Sequence, residues 1–211
     1  MTDNVYIFPT DTVWGIGTAI SSGVGKKRIE EIKGIVRPRP YALIFGQIAH
    51  LGSWMIPTAP FSAVFWQEVL TCHTTLLLPV NWFKTEVVSA SAGLPQIGVR
   101  LQSNMAIQKI WQIEQAPLIS TSLNLTGQEP ITTYEEAARF MEQFAPDAKL
   151  FSAKISARAK ASTILAVEFD SSVNVPDSLI KGKVKVKVRR GLVDEHLAQV
   201  LERMGLDIDR N

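Results

Sequence analysis

Short apolar runs of strand length alternate along this 211-residue chain with stretches whose apolar residues recur every three to four positions. That alternation admits few folds. Val5 to Phe8, Tyr41 to Phe45, Thr75 to Leu78, Ile97 to Leu101 and Leu118 to Ser120 read as strands. Lys26 to Val36 sets Ile29, Ile32 and Val36 on one helical face, and Phe61 to Leu70, Ala106 to Ile113 and Val193 to Met204 read as further helices. Thr132 or Thr133 caps a helix running to Phe144, with Glu135 and Glu136 in its first turn and Pro146 as its stop. Strands interleaved with helices predict an α/β sheet. Thr163 to Phe169 and Lys183 to Val188 follow each other with no helix between, which predicts a mixed parallel/antiparallel sheet flanked by helices. No repeat, low-complexity tract or linker interrupts the chain, so a single domain over residues 1–211 is expected.

Composition narrows the function classes. At 46% hydrophobic and 20% charged residues the chain is too apolar for disorder. One cysteine, Cys72, excludes an internal disulfide and favours a reducing compartment. The opening residues run straight into a strand without the basic-then-apolar order of a secretion signal, and no apolar run approaches the ~20 residues of a membrane span. A cytoplasmic protein without membrane association is expected. His50, His73 and His196 lack ligand-like spacing, so no protein-held metal site is expected. Phosphate-loop, dinucleotide and Gly-x-Ser-x-Gly signatures are missing. The net charge of +2 is modest, yet Lys26 to Arg39 and Lys181 to Arg190 concentrate cations in two stretches suited to a polyanion.

Five constellations carry chemistry. Phe8-Pro9-Thr10-Asp11-Thr12-Val13-Trp14-Gly15 follows a strand and exposes hydroxyls and backbone N–H groups where open α/β sheets bind ligands. Lys33-Gly34-Ile35-Val36-Arg37-Pro38 pairs a point charge with a planar fork, a combination suited to phosphate oxygens. Ser120-Thr121-Ser122-Leu123-Asn124-Leu125-Thr126-Gly127 gathers hydroxyl, amide and backbone donors with no charge. Gly98-Val99-Arg100-Leu101 buries an arginine that needs a carboxylate, from protein or from ligand. Lys181 to Arg189 alternates cations with valines, most of them an aggregation-resistant edge, with Arg189 exempted at the Arg190-Gly191 turn. Taken one at a time, each also has an ordinary structural account: a self-satisfied turn, a solvated helix end, a polar loop, a buried ion pair, a lysine-studded strand.

The order of these segments, with Ser162-Thr163-Ile164 before Arg189-Arg190-Gly191, resembles the YrdC-like family from roughly Tyr6 to Val193. Its characterised members are threonylcarbamoyl-AMP synthases. The resemblance implies a twisted mixed α/β sheet enclosing a basic cavity. It implies a nucleotidyltransferase that forms threonylcarbamoyl-adenylate and pyrophosphate from L-threonine, bicarbonate and ATP with Mg²⁺. The product feeds modification of the tRNA adenosine beside the anticodon through downstream threonylcarbamoyl-transfer proteins. Lys33, Arg37, Ser122 and Asn124 are thereby placed around the ATP phosphates as the catalytic set, with Ser120, Ser162 and Arg189 also on the nucleotide side. Thr10, Thr12, Arg100 and Thr126 are placed around threonine, Arg100 at its carboxylate. Lys33 and Arg37 then face the loop around Leu123 across a hollow with room for a triphosphate.

The chain also departs from the family pattern. One residue separates the lysine from the arginine there, whereas Gly34, Ile35 and Val36 intervene here. Tyr41 and Ala42 replace the usual residues before the next strand, Leu70 to His73 replaces a Trp-Pro-Gly-Pro approach, and Ala166 stands for an aspartate. A YciO-like paralogue with weak or no synthase activity is the alternative within the fold. A non-catalytic module binding tRNA or double-stranded RNA through the basic segments is the alternative outside it.

Overall fold

The structure, a computed structural model, describes residues 2–35, 41–57, 59, 61–91, 93–152, 161–169 and 184–209. Along the chain run β1 (Tyr6–Pro9), β2 (Trp14–Ala19), α1 (Gly23–Lys33), β3 (Ala42–Phe45), α2 (Ile48–Trp54), α3 (Gln67–Leu70) and β4 (Thr74–Pro79). They continue as α4 (Thr85–Ala90), β5 (Gln96–Leu101), α5 (Met105–Glu114), β6 (Leu118–Ser122), α6 (Tyr134–Phe144) and β7 (Lys149–Leu150). Last come β8 (Thr163–Phe169), β9 (Val184–Arg190), α7 (Glu195–Arg203) and β10 (Asp207–Asp209). The chain folds as two units: Met1–Gln47 with Gln102–Ala161, and Ile48–Leu101 with Ser162–Asn211.

In the first unit the strand order is β3-β6-β2-β1-β7. All these pairings are antiparallel except β1 with β7. Tyr6, Phe8, Ile44 and Leu118 on the sheet pack with Ala106, Ile107 and Ile110 of α5, residues spaced to share one helical face. Asn104 caps α5 by accepting from the Ile107 amide, and Thr133 caps α6 in a reciprocal box with Glu136, as the acidic first turn predicts. In the second unit the order is β10-β9-β8-β4-β5, parallel at β10–β9 and β8–β4 and antiparallel elsewhere. Leu197, Val200 and Leu201 form the buried stripe of α7. Phe61, Phe65, Trp66 and Trp82 build an aromatic cluster with Phe61 and Trp66 centroids 5.3 Å apart. A mixed α/β sheet flanked by helices is what the periodicity predicts.

Three elements differ from that reading. Trp14–Ala19 is a fully buried strand where the sequence predicts only a turn. Its glycines conceal it: a Cβ on Gly17 would lie 2.7 Å from the Ile119 carbonyl oxygen, and one on Gly15 would lie 2.8 Å from the Phe8 ring. Close approach of β1 and β6 therefore demands glycine in the strand. Helix α1 begins at Gly23 and ends at Lys33, because Ser22 caps one end and Gly34, at φ +64°, turns left-handed at the other. Phe61 to Leu70 holds only a short 3₁₀ turn, Val64–Trp66, and the single turn of α3.

Candidate functional site

The pairing of β2 with β6 creates the site of the first unit. Gly15 lies opposite Ser122 and Gly17 opposite Ser120, so the turn before β2 and the loop after β6 emerge side by side. Backbone bonds join them: Leu123 N–H donates to the Trp14 carbonyl, Trp14 N–H to Ile131, and Ile131 N–H to Leu123. The Pro-Thr-Asp-Thr turn and the Ser-x-Asn-x-Thr-Gly loop, remote in sequence, become one surface.

Helix α1 delivers Lys33 beneath that loop. Its side chain is only 5% exposed, and its ammonium donates to the Ser122 carbonyl at 2.6 Å, the Asn124 carbonyl at 2.7 Å and Asn124 Oδ1 at 3.1 Å. The Lys33 carbonyl in turn accepts from the Thr126 amide at 3.1 Å. Asn124 is the keystone: Oδ1 also accepts from the Ser122 hydroxyl at 2.7 Å, and Nδ2 donates to the Leu125 and Gln128 carbonyls at 2.8 Å. The structure thus unites Lys33, Ser122 and Asn124, but it closes the hollow expected between Lys33 and the loop. A desolvated ammonium needs an acceptor for each of its donors, and the loop's own oxygens provide them. These three acceptors are neutral oxygens of the loop, so the ammonium ties the loop to the end of α1. Arg37 lies outside the described residues.

Thr10 and Thr12 are both buried in the adjoining turn. Thr10 Oγ1 donates to the Val13 carbonyl at 2.7 Å and accepts from the Thr12 amide at 3.1 Å. With that proton committed, the 3.0 Å contact between the two hydroxyls has Thr12 as donor. Thr126 Oγ1 is buried and has no hydrogen-bond partner among the described residues. Ser120 is buried on β6 opposite Gly17.

The other residues singled out from the sequence belong to the second unit. Arg100 is buried near the end of β5. The Ser162 hydroxyl lies 2.8 Å from that of Thr75, both buried. Arg189 sits at an irregularity between β8 and β9, where Arg190 pairs with Ile164 and Val188 with Leu165. Its side chain is half-exposed and 3.8 Å from Glu168. Lys181 and Lys183 lie outside the described residues. Among the described residues, no three of His, Cys, Asp and Glu cluster as a metal cage. No helix among them is long and apolar enough to cross a membrane.

Two residues that hold the turn escape the sequence reading. Gln102 and Asn104 reach the turn, Asn104 Nδ2 donating to the Pro9 carbonyl at 2.8 Å and Gln102 pairing with Asp11. The only sequence signal is a polar break, Gln102-Ser103-Asn104, after the apolar strand.

Comparison with known proteins agrees with this architecture. The Sua5/YciO/YrdC family model, described as Telomere recombination, matches residues 2–177. A threonylcarbamoyl-AMP synthase of Vibrio campbellii is 31% identical over 139 residues, spanning 64% of this chain and 73% of that protein. The crystal structure of Pyrococcus abyssi Sua5 complexed with L-threonine is similar over 98% of this chain at a TM-score of 0.68 and 21% identity. This chain covers 56% of that longer protein. The crystal structure of Escherichia coli YciO is similar over 82% of each chain, at a TM-score of 0.61 and 22% identity.

Proposed function

The chain belongs to the Sua5/YciO/YrdC family, and from that premise we propose that it forms threonylcarbamoyl-adenylate and pyrophosphate from L-threonine, bicarbonate and ATP. The product would serve tRNA threonylcarbamoylation through separate transfer proteins. The threonine nitrogen takes up the bicarbonate carbon as a carbamate, releasing water. A carbamate oxygen then attacks the α-phosphorus and displaces pyrophosphate. No covalent nucleophile on the protein is required, and negative charge accumulates on the phosphates, so catalysis rests on positioning and electrostatics.

The observation that carries this reading is the Lys33 ammonium, buried against three neutral oxygens of the Ser122–Asn124 loop. It fixes the shape of that loop without offering the cation itself as a loose ligand. Phosphate would lie on the loop's outer side, near the Ser122 hydroxyl, with Arg37 as the second cation. Thr12 and Thr126, with Arg100 at the carboxylate, would hold threonine; the threonine named in the Pyrococcus Sua5 structure supports that substrate class. Ser120, Ser162 and Arg189 would complete the nucleotide side. Mg²⁺ would arrive on the triphosphate, whose oxygens and waters supply its ligands and whose charge it neutralises.

The deciding experiment incubates the purified protein with ATP, Mg²⁺, bicarbonate and threonine and follows pyrophosphate. Release that requires both threonine and bicarbonate is the expected result. ATP binding without turnover overturns synthesis in favour of the paralogue. Salt-sensitive RNA binding without nucleotide binding overturns it in favour of an RNA module.

A further inference from the structure

We propose that Gln102 is a positioning residue for the Pro9–Gly15 turn. By pairing reciprocally with Asp11 it fixes the peptide that carries Thr10 and Thr12, and through it the affinity for the amino-acid substrate. The proposal rests on the reading that this turn holds threonine.

Gln102 follows directly on β5 and is 3% exposed, a buried carboxamide that must satisfy both its donor and its acceptor. Its backbone N–H donates to the Phe45 carbonyl at 2.8 Å, which anchors it to the end of β3. Its Oε1 accepts from the Asp11 amide at 3.0 Å, and its Nε2 donates to Asp11 Oδ1 at 2.5 Å. Two bonds to one residue fix rotation as well as distance, and the carboxylate makes one of them charge-assisted. Asn104 holds the Pro9 carbonyl, so the turn is clamped on both sides of Thr10. The threonine hydroxyls follow the clamp, because Thr10 is bonded to the Val13 carbonyl and the Thr12 amide, both backbone groups of the same turn. A carboxamide is chemically required here. Glutamate at position 102 has no donor for the Asp11 carboxylate, and leucine has neither group.

Two variants test this: Gln102→Leu, which removes both bonds, and the double variant Asp11→Asn with Gln102→Glu, which reverses the polarity of the pair. In the double variant the new carboxamide at position 11 donates to the new carboxylate at position 102, while the main-chain N–H at position 11 still finds a carboxylate oxygen. Steady-state pyrophosphate release is measured against threonine and against ATP. Hydrogen exchange of the residue 11 amide is measured on ligand-free protein, with Ala137 of α6 as the control amide. Gln102→Leu is expected to raise the threonine KM at least about tenfold, with the ATP KM moving less than about twofold. It should speed exchange at residue 11 about tenfold and leave Ala137 unchanged. The double variant is expected to keep both quantities within about threefold of wild type. Unchanged exchange and threonine KM in Gln102→Leu overturn the proposal. So do equal losses for both substrates, or a double variant as impaired as Gln102→Leu. If wild-type protein releases no pyrophosphate, the synthase reading falls, while exchange and its rescue still decide whether Gln102 clamps the turn.

Discussion

Lys33 and Arg189 carry the same charge in opposite settings. Lys33 is buried at the end of α1 with three acceptors between 2.6 and 3.1 Å, all of them neutral. Arg189 lies on β9 with a side chain 49% exposed and its carboxylate neighbour, Glu168, 3.8 Å away. The first charge is fixed in position by oxygens of the loop that it holds. The second is open to hydration, and Glu168 opposes it. For an anion, the cation that matters most need not be the one it can touch. The buried one shapes the loop, whereas the attraction of an exposed one for any anion weakens with salt.

The sharpest way to break the comparison is Lys33→Met, which keeps most of the side-chain length and removes the ammonium. It leaves the Ser122 carbonyl, the Asn124 carbonyl and Asn124 Oδ1 without this donor, and unfolding in denaturant should show a loss of about 3 kcal/mol. Pyrophosphate release should fall at least about 100-fold, because Ser122 and Asn124 lose their common support. A stability loss below about 1 kcal/mol would show that Lys33 is not what holds the loop.

A buried carboxylate allows the same test with the sign reversed. Glu114, at the end of α5, is 5% exposed and receives the hydroxyls of Thr2 and Tyr6 and the Thr2 amide. Burial pushes its carboxyl up, and the hydrogen bonds from Thr2, Tyr6 and Asn4 more than offset this, so it titrates below its ordinary 4.5. Asp147 is lowered as well, by its bond from Arg28, but both side chains are substantially exposed. A folded value below the unfolded one means stability that is fully present above pH 4.5 and lost as the pH falls through the folded value. Glu114→Gln should cost about 2 kcal/mol at neutral pH and flatten the acid limb of stability against pH. Asp147→Asn should cost less than about 1 kcal/mol and leave the limb in place. Equal effects at the two sites would mean that burial does not govern these charges.

The same distinction explains what could be read from the sequence. The cap of α6 was legible because it is local: Thr133 and Glu136 lie three residues apart and bond each other. The mixed sheet was legible from periodicity, and the turn and loop that form the site were legible as segments. Strand β2 was not, because the glycines at 15 and 17 answer to Phe8 and Ile119, residues that only the folded chain brings near. Lys33 was legible as a site residue but not in its orientation, since nothing local says that its acceptors are carbonyls some 90 positions downstream. Gln102 was illegible for the same reason: its partner, Asp11, lies 91 residues earlier.

The smallest expected effect is at Arg189, and its smallness is informative. Arg189→Ala removes an exposed cation from a 3.8 Å ion pair at an irregular point of the β8–β9 ladder. Thermal unfolding should change by less than about 0.5 kcal/mol. If Arg189 belongs to the nucleotide side, the loss appears in the ATP KM alone, by roughly threefold to tenfold at low ionic strength, and shrinks as salt is raised. Lys33→Met should show the reverse pattern, a loss that salt does not relieve, because its cause is a reshaped loop rather than a screened attraction. Measuring both variants across ionic strength therefore separates a charge that acts by holding a loop in shape from one that acts by screened attraction. An Arg189→Ala defect that persists undiminished in high salt would place that guanidinium in the same class as Lys33.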